Sequence, residues 1–202
     1  MKPAKLSVPP GRAGRIWLVR RLDTARRGAD LLDRKLRILQ RDLTRLQAAA
    51  AETASEWERC RADARAWLLR AAVLCGEQAI RLADDGQVAD VRVSYATTMG
   101  IRYPATAACT LLPATTWDSP VLARVRQAHR AALEAAARHA AATAAVRMLD
   151  DEVSATRYRL RAVQDRWIPR LEQTLADMTF AIEELERADA ARLRLAAGPP
   201  RA

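Results

Sequence analysis

A chain of 202 residues with a net charge of +10, 4% aromatic residues and a single Phe has too few bulky side chains to fill a broad globular core, so an elongated, mostly helical molecule is expected. Cys60, Cys75 and Cys109 form no CxxC or Cys/His spacing, which points away from a disulfide framework or zinc site and toward a reducing, cytoplasmic setting. No run approaches the roughly 18 apolar residues of a membrane span, and the first residues lack the apolar core of a signal peptide.

The positive charge is uneven. Arg12 to Arg45 holds eleven basic residues against four acidic, whereas Arg157 to Arg194 holds eight against seven. Only Lys2, Lys5 and Lys35 are lysines, a bias that a GC-rich genome produces without any ligand in view. The basic character therefore belongs to one arm.

Residues 1–11, with Pro9-Pro10, read as a disordered lead, and a first helix is expected over 12–85. From Leu18 an uncharged stripe runs through Leu22, Ala25, Ala29, Leu32, Leu36 and Leu39 to Leu74 in alternating steps of four and three. Its seventeen positions form a heptad seam. The seam includes Trp57 and Trp67, and Gly86 is the expected left-handed cap after Asp85.

Residues 86–118 read as a small knob. Val91, Val93 and Tyr95 alternate with polar residues, as do Ile101 and Tyr103 beyond Met99-Gly100, which predicts a β-hairpin too small to be stable alone and seated where the helices meet.

Ser119 and Pro120 have the chemistry of a helix cap and first turn, so a second helix is expected over 119–196, followed by a disordered tail at 197–202. Its stripe runs from Val121 through His139 to Val163, then makes three successive steps of four, through Trp167 and Leu171 to Leu175, before resuming at Met178. Pro169, inside that shift, predicts a kink.

Two such helices fold most simply into an antiparallel coiled coil, so the fold class is all-α with a small β-hairpin knob. If Leu74 faces Val121, Trp67 falls near Ala128, Trp57 near Ala135 to His139, and Trp167 near Gly28-Ala29. Gly28 costs about 1 kcal/mol of helix propensity, and the register gives it a purpose, clearing space for the Trp167 indole beside Pro169.

Catalytic and cofactor chemistry is not indicated. No GxxxxGK[ST], GxGxxG or HExxH occurs, and His129 and His139 stand ten residues apart on different faces. His139 reads as a polar residue tolerated in the seam, and the carboxylate pairs read as solvated faces. Arg20-Arg21 and Arg26-Arg27 lie off the stripe, as a solvated face or a docking surface for acidic partners.

Three ordered segments resemble the D subunit of the V-type and archaeal A-type rotary ATPases: RRGADLLDRK at 26–35, MGIRYP at 99–104, and RYRLRAVQDRWIPRLEQTL at 157–175. Their order and spacing agree over nearly the whole chain. The resemblance implies a non-catalytic rotor shaft, peripheral to the membrane. The shaft would stand within a ring of catalytic A and B subunits and bind the small F subunit and the funnel-shaped C/d subunit. On that reading Arg20, Arg21, Arg26 and Arg27 face the catalytic ring, while Val91, Val93, Tyr95, Ile101 and Tyr103 face the adaptor subunits. Gly28, Trp57, Trp67, Trp167 and Pro169 are structural. A helix from Leu18 to Leu74 would be about 85 Å long, enough to cross a large ring. A basic coiled coil that tethers proteins or binds nucleic acid also fits the charge and the seams, but not the three ordered segments.

Overall fold

The computed structural model describes residues 7–83, 86, 88–111 and 119–196. Helix α1 (Gly11–Leu82) begins directly after the proline pair, and sixteen of its seventeen expected seam positions are buried or half-buried. Leu74, at 69% exposed, is the exception. Two residues later Gly76 adopts φ 78 and ψ 157, a region open essentially to glycine alone, and breaks the helix there. Cys75 takes the half-buried position instead, its Sγ 3.8 Å from the Ser119 hydroxyl. The helix closes at Leu82, where the Ala83 N–H donates to the Ala79 and Ile80 carbonyls. Gly86 is left-handed (φ 65), yet it stands four residues past Leu82 and is not the cap. Asp84 and Asp85 lie outside the described residues.

Helix α2 (Pro120–Arg161) starts as its chemistry dictates: the Leu122 N–H donates to the Ser119 Oγ at 3.3 Å, and the Ala123 N–H to the Ser119 carbonyl at 2.9 Å. Helix α3 (Ile168–Ala196) follows without a loop, but Ala162–Trp167 between them is a π-helical turn, with the Ile168 N–H reaching back five residues to the Val163 carbonyl. The shift in the seam thus takes the form of a widened turn. Pro169 cannot donate to the carbonyl four residues earlier, and its ring would press on that carbonyl in a regular helix; the turn relieves both.

The residues divide into two compact units, one pairing the chain up to Leu36 with Ala155 onward and the other spanning Arg37–Ser154. In the first, Leu18, Leu22 and Leu171 form the buried centre, with Ala25, Trp167, Ile168, Leu175 and Met178 packed against it. Ion pairs cross between the arms at Arg12–Glu186 (2.6 Å) and Arg26–Glu172 (2.7 Å). A rise of fourteen positions on α1 is matched by a fall of fourteen on α3, as an antiparallel pair requires. In the second unit α1 and α2 meet at Trp57 and His139, whose rings stack with centroids 5.5 Å apart, and at Glu56–Arg138 (2.8 Å). This is the expected placement of Trp57.

Strands β1 (Asp90–Thr98) and β2 (Ile101–Thr110) form the expected antiparallel hairpin. Met99 and Gly100 both have positive φ (47 and 83), the geometry of a two-residue turn whose twist matches the strands. The register shifts between Ser94 and Tyr95, leaving Ala105 unpaired as a bulge. Before the bulge Val91 and Val93 pair with Cys109 and Ala107; at the tip Ala96 and Thr98 pair with Tyr103 and Ile101. Burial changes face along the ribbon, in keeping with the stronger twist of a bulge. Tyr103 is 6% exposed, and Thr98 donates its hydroxyl hydrogen to an Asp42 carboxylate oxygen at 2.6 Å. The hairpin is therefore not a knob standing off the helix ends: its tip is bound to α1 forty residues before Leu82. Residues 112–118 of the expected knob lie outside the described residues.

Gly28 does not serve an indole. A Cβ placed there meets nothing within 4 Å, because Ala29 holds the buried seam position and Gly28 stands beside it. Trp167 sits instead over Arg21 and the Leu18–Leu22–Leu171 cluster. The crowded glycine is Gly14, where a Cβ would lie 1.9 Å from the Pro9 carbonyl oxygen and 2.8 Å from the Met178 Sδ.

Candidate partner-binding surfaces

The arginine pairs separate into different roles. The Arg21 guanidinium lies 5.8 Å from the ring centroids of both Trp17 and Trp167, so it spans the two arms. Arg26 is tied across to Glu172, and Arg27 to Asp23 one turn earlier on its own helix. Arg20 alone of the four is exposed with no side-chain partner among the described residues, and Arg34 on the same helix shares that state. Arg20, Arg27 and Arg34 recur every seven residues, which on a helix aligns them into one slowly drifting row. The adjacent pairs are the conspicuous feature of this stretch of sequence, but the seven-residue interval is equally local to it.

A second surface lies between the hairpin and α2. An open groove of about 540 Å³ is lined by Val91, Val93, Tyr95, Pro104 and Ala107 on one side and by Leu133 with a row of alanines from Ala136 to Ala144 on the other. Val91, Val93 and Tyr95 are exposed, Tyr95 by 53%, and the Arg102 guanidinium covers one face of the Tyr95 ring at 4.2 Å. Of the five hairpin residues singled out from the sequence, these three present a free apolar face. Ile101 is half-buried and Tyr103 is in the core, because the bulge turns their end of the ribbon inward.

The seams hold few polar groups, and those present are satisfied. Thr53 donates its hydroxyl hydrogen to the Ala50 carbonyl, so its oxygen accepts from the Nδ1–H of His139 at 3.3 Å. The other ring nitrogen, Nε2, stands 3.5 Å from the Thr143 hydroxyl. Trp57, Trp67 and Trp167 are half-buried, and each lies against an arginine, Arg61, Arg70 and Arg21 respectively. Among the described residues no group of three His, Cys, Asp or Glu side chains is placed to hold a metal, and no helix is long and apolar enough to cross a membrane. What the surfaces offer is recognition: guanidinium groups for carboxylates and an apolar groove for an apolar segment.

Comparison with known proteins agrees over nearly the entire length. A family model for the D subunit of ATP synthase matches residues 16–198. The D subunit of the V-type ATP synthase of Thermotoga neapolitana is 28% identical over 195 residues, covering 94% of this chain and 96% of its own.

Proposed function

The chain belongs to the ATP synthase D-subunit family, stalk subunits of rotary ATPases, and from that premise we propose that it turns as the central shaft of a V- or A-type complex. The observation that supports this reading is the antiparallel pairing of long arms by uncharged seams, with an apolar hairpin face left over. The shaft performs no chemistry. It acts by being asymmetric: each orientation stabilises a different conformation among otherwise equivalent nucleotide sites, and so biases which of them closes.

The exposed arginine row meets the surrounding catalytic A and B subunits. Contacts between exposed arginines and carboxylates contribute about 0 to 1 kcal/mol each, weak enough to be exchanged as the shaft passes from site to site. The face formed by Val91, Val93 and Tyr95 receives the adaptors, the F subunit and the funnel-shaped C/d subunit, through which the shaft reaches the membrane ring. The complex then couples nucleotide hydrolysis or synthesis to translocation of protons or sodium ions, and the chain is peripheral to the membrane on the cytoplasmic side.

The test is affinity purification of the tagged chain from its own cells, run in parallel with and without nuclease. Two large nucleotide-binding subunits should co-purify with it. Recovery of nucleic acid instead, with a binding constant that falls steeply as salt rises, would overturn the proposal in favour of a basic coiled coil that binds phosphate backbones.

A further inference from the structure

We propose that the π-helical turn at Ala162–Trp167 is a compliant joint in the second arm, held closed by Arg21 acting between two indoles. Its use in torque transmission rests on the shaft reading; its mechanics do not.

The backbone makes the joint. A regular helix here would need a donor at position 169 and room for a ring, and Pro169 supplies neither condition. The chain instead holds one surplus residue, with the Ile168 N–H bonded to the Val163 carbonyl. None of the six residues is fully buried, and Gln164, Asp165 and Arg166 are exposed, so apart from Trp167 against the Leu18–Leu22–Leu171 cluster little packing fixes the turn from outside. Three residues after Ile168 the situation reverses: Leu171 is completely buried against Leu18 and Leu22. Give is therefore confined to one turn between well-packed neighbours, the structural condition for a local opening with low free energy.

Arg21 is the catch. It has no carboxylate partner among the described residues and is not needed for the seam, yet its guanidinium lies equally close to Trp17 on its own helix and to Trp167, the last residue of the turn. Each residue of a helix is rotated by about 100° from the next. If the surplus residue moved along the chain, Trp167 would swing away from Arg21. Holding the indole thus holds the bulge in place, and Arg21 is a positioning residue that acts through Trp167.

The proposal is tested by amide hydrogen exchange on the full purified chain. Amides 164–168 should exchange at least tenfold faster than those of 171–175. Deleting Gln164 together with Pro169→Ala, which removes the surplus residue and restores the donor, should abolish that difference. Arg21→Met keeps the apolar stem but loses the cation; it should speed exchange at 164–168 by about two- to fivefold, the change expected from one lost cation–π contact, while Arg21→Lys restores part of the protection. Equal exchange in the two segments of the wild-type chain overturns the joint, and an Arg21→Met effect spread evenly over both arms overturns the catch. If the deletion variant does not fold, the Arg21→Met and Arg21→Lys pair decides by itself. Failure of the chain to assemble with nucleotide-binding subunits would overturn the shaft reading and leave the exchange result standing.

Discussion

Gly14 and Gly28 look alike in the sequence, each set among arginines and apolar residues on one helix, yet a single methyl group should separate them. At Gly28 a Cβ enters open space, so Gly28→Ala should raise stability by about 0.5 to 1 kcal/mol through helix propensity alone. At Gly14 the same atom would meet the Pro9 carbonyl and the Met178 thioether, and Gly14→Ala should lower stability by about 1 to 3 kcal/mol, as overpacking does. Urea melts of the two variants check the signs; two shifts in the same direction would show that the close approach at Gly14 is relieved at no cost. A parallel contrast separates seam from surface. Leu39 is fully buried, so Leu39→Ala should cost about 2 to 5 kcal/mol. Arg20, exposed and unpartnered among the described residues, should be silent within about 0.5 kcal/mol when replaced by Ala.

Elements were legible where their cause is local. The seams follow from a repeat written in the residues themselves, and the hairpin follows from alternation around Met99-Gly100, a pair whose positive φ values close the turn. The cap at Ser119 is equally local. The break at Gly76 was not legible: a glycine inside a helical pattern usually stays helical, and its φ of 78 is chosen by what surrounds it. Nor could the pattern of β1 and β2 announce a bulge at Ala105, which moved Tyr103 from a presumed docking face into the core. The separate roles within the arginine pairs were not legible either, since the contacts of Arg26 with Glu172 and of Arg21 with Trp167 depend on the register of both helices. The hairpin's seat is a further example, with Thr98 bonded to Asp42 at a sequence distance of 56. Asp42→Ala should free the tip while leaving the seams intact. Limited proteolysis near Met99-Gly100 should accelerate several-fold, in line with the loss of about 1 to 2 kcal/mol from one charge-assisted bond, with the main melting transition nearly unmoved. If cleavage stays at the wild-type rate, the tip is held by packing around Tyr103 instead.

At the scale of the whole molecule the two surfaces should be separable, because they lie on different elements and use different chemistry. The arginine row of α1 attracts carboxylates over distance and is screened by salt. The hairpin face offers exposed apolar area, which attracts nothing until water is excluded. A carboxylate placed in that face would forbid burial while leaving the folded chain undisturbed, since Val91 and Tyr95 are already open to solvent. Val91→Glu with Tyr95→Glu should therefore melt within about 1 kcal/mol of the parent. On the proposed division of roles, the same variant should still enter the catalytic ring and still permit nucleotide hydrolysis. It should lose both the F subunit and the funnel-shaped adaptor on purification, and in reconstituted vesicles hydrolysis should continue without ion pumping. On the same proposal Arg20→Ala with Arg34→Ala should give the reciprocal result: adaptor subunits retained, with association to the ring slower and less sensitive to salt. Pumping that persists in the Val91/Tyr95 variant would show that the hairpin face is not the attachment. A variant chain that no longer enters the ring would show that one surface serves both partners, and the division of roles between arm and hairpin would fall.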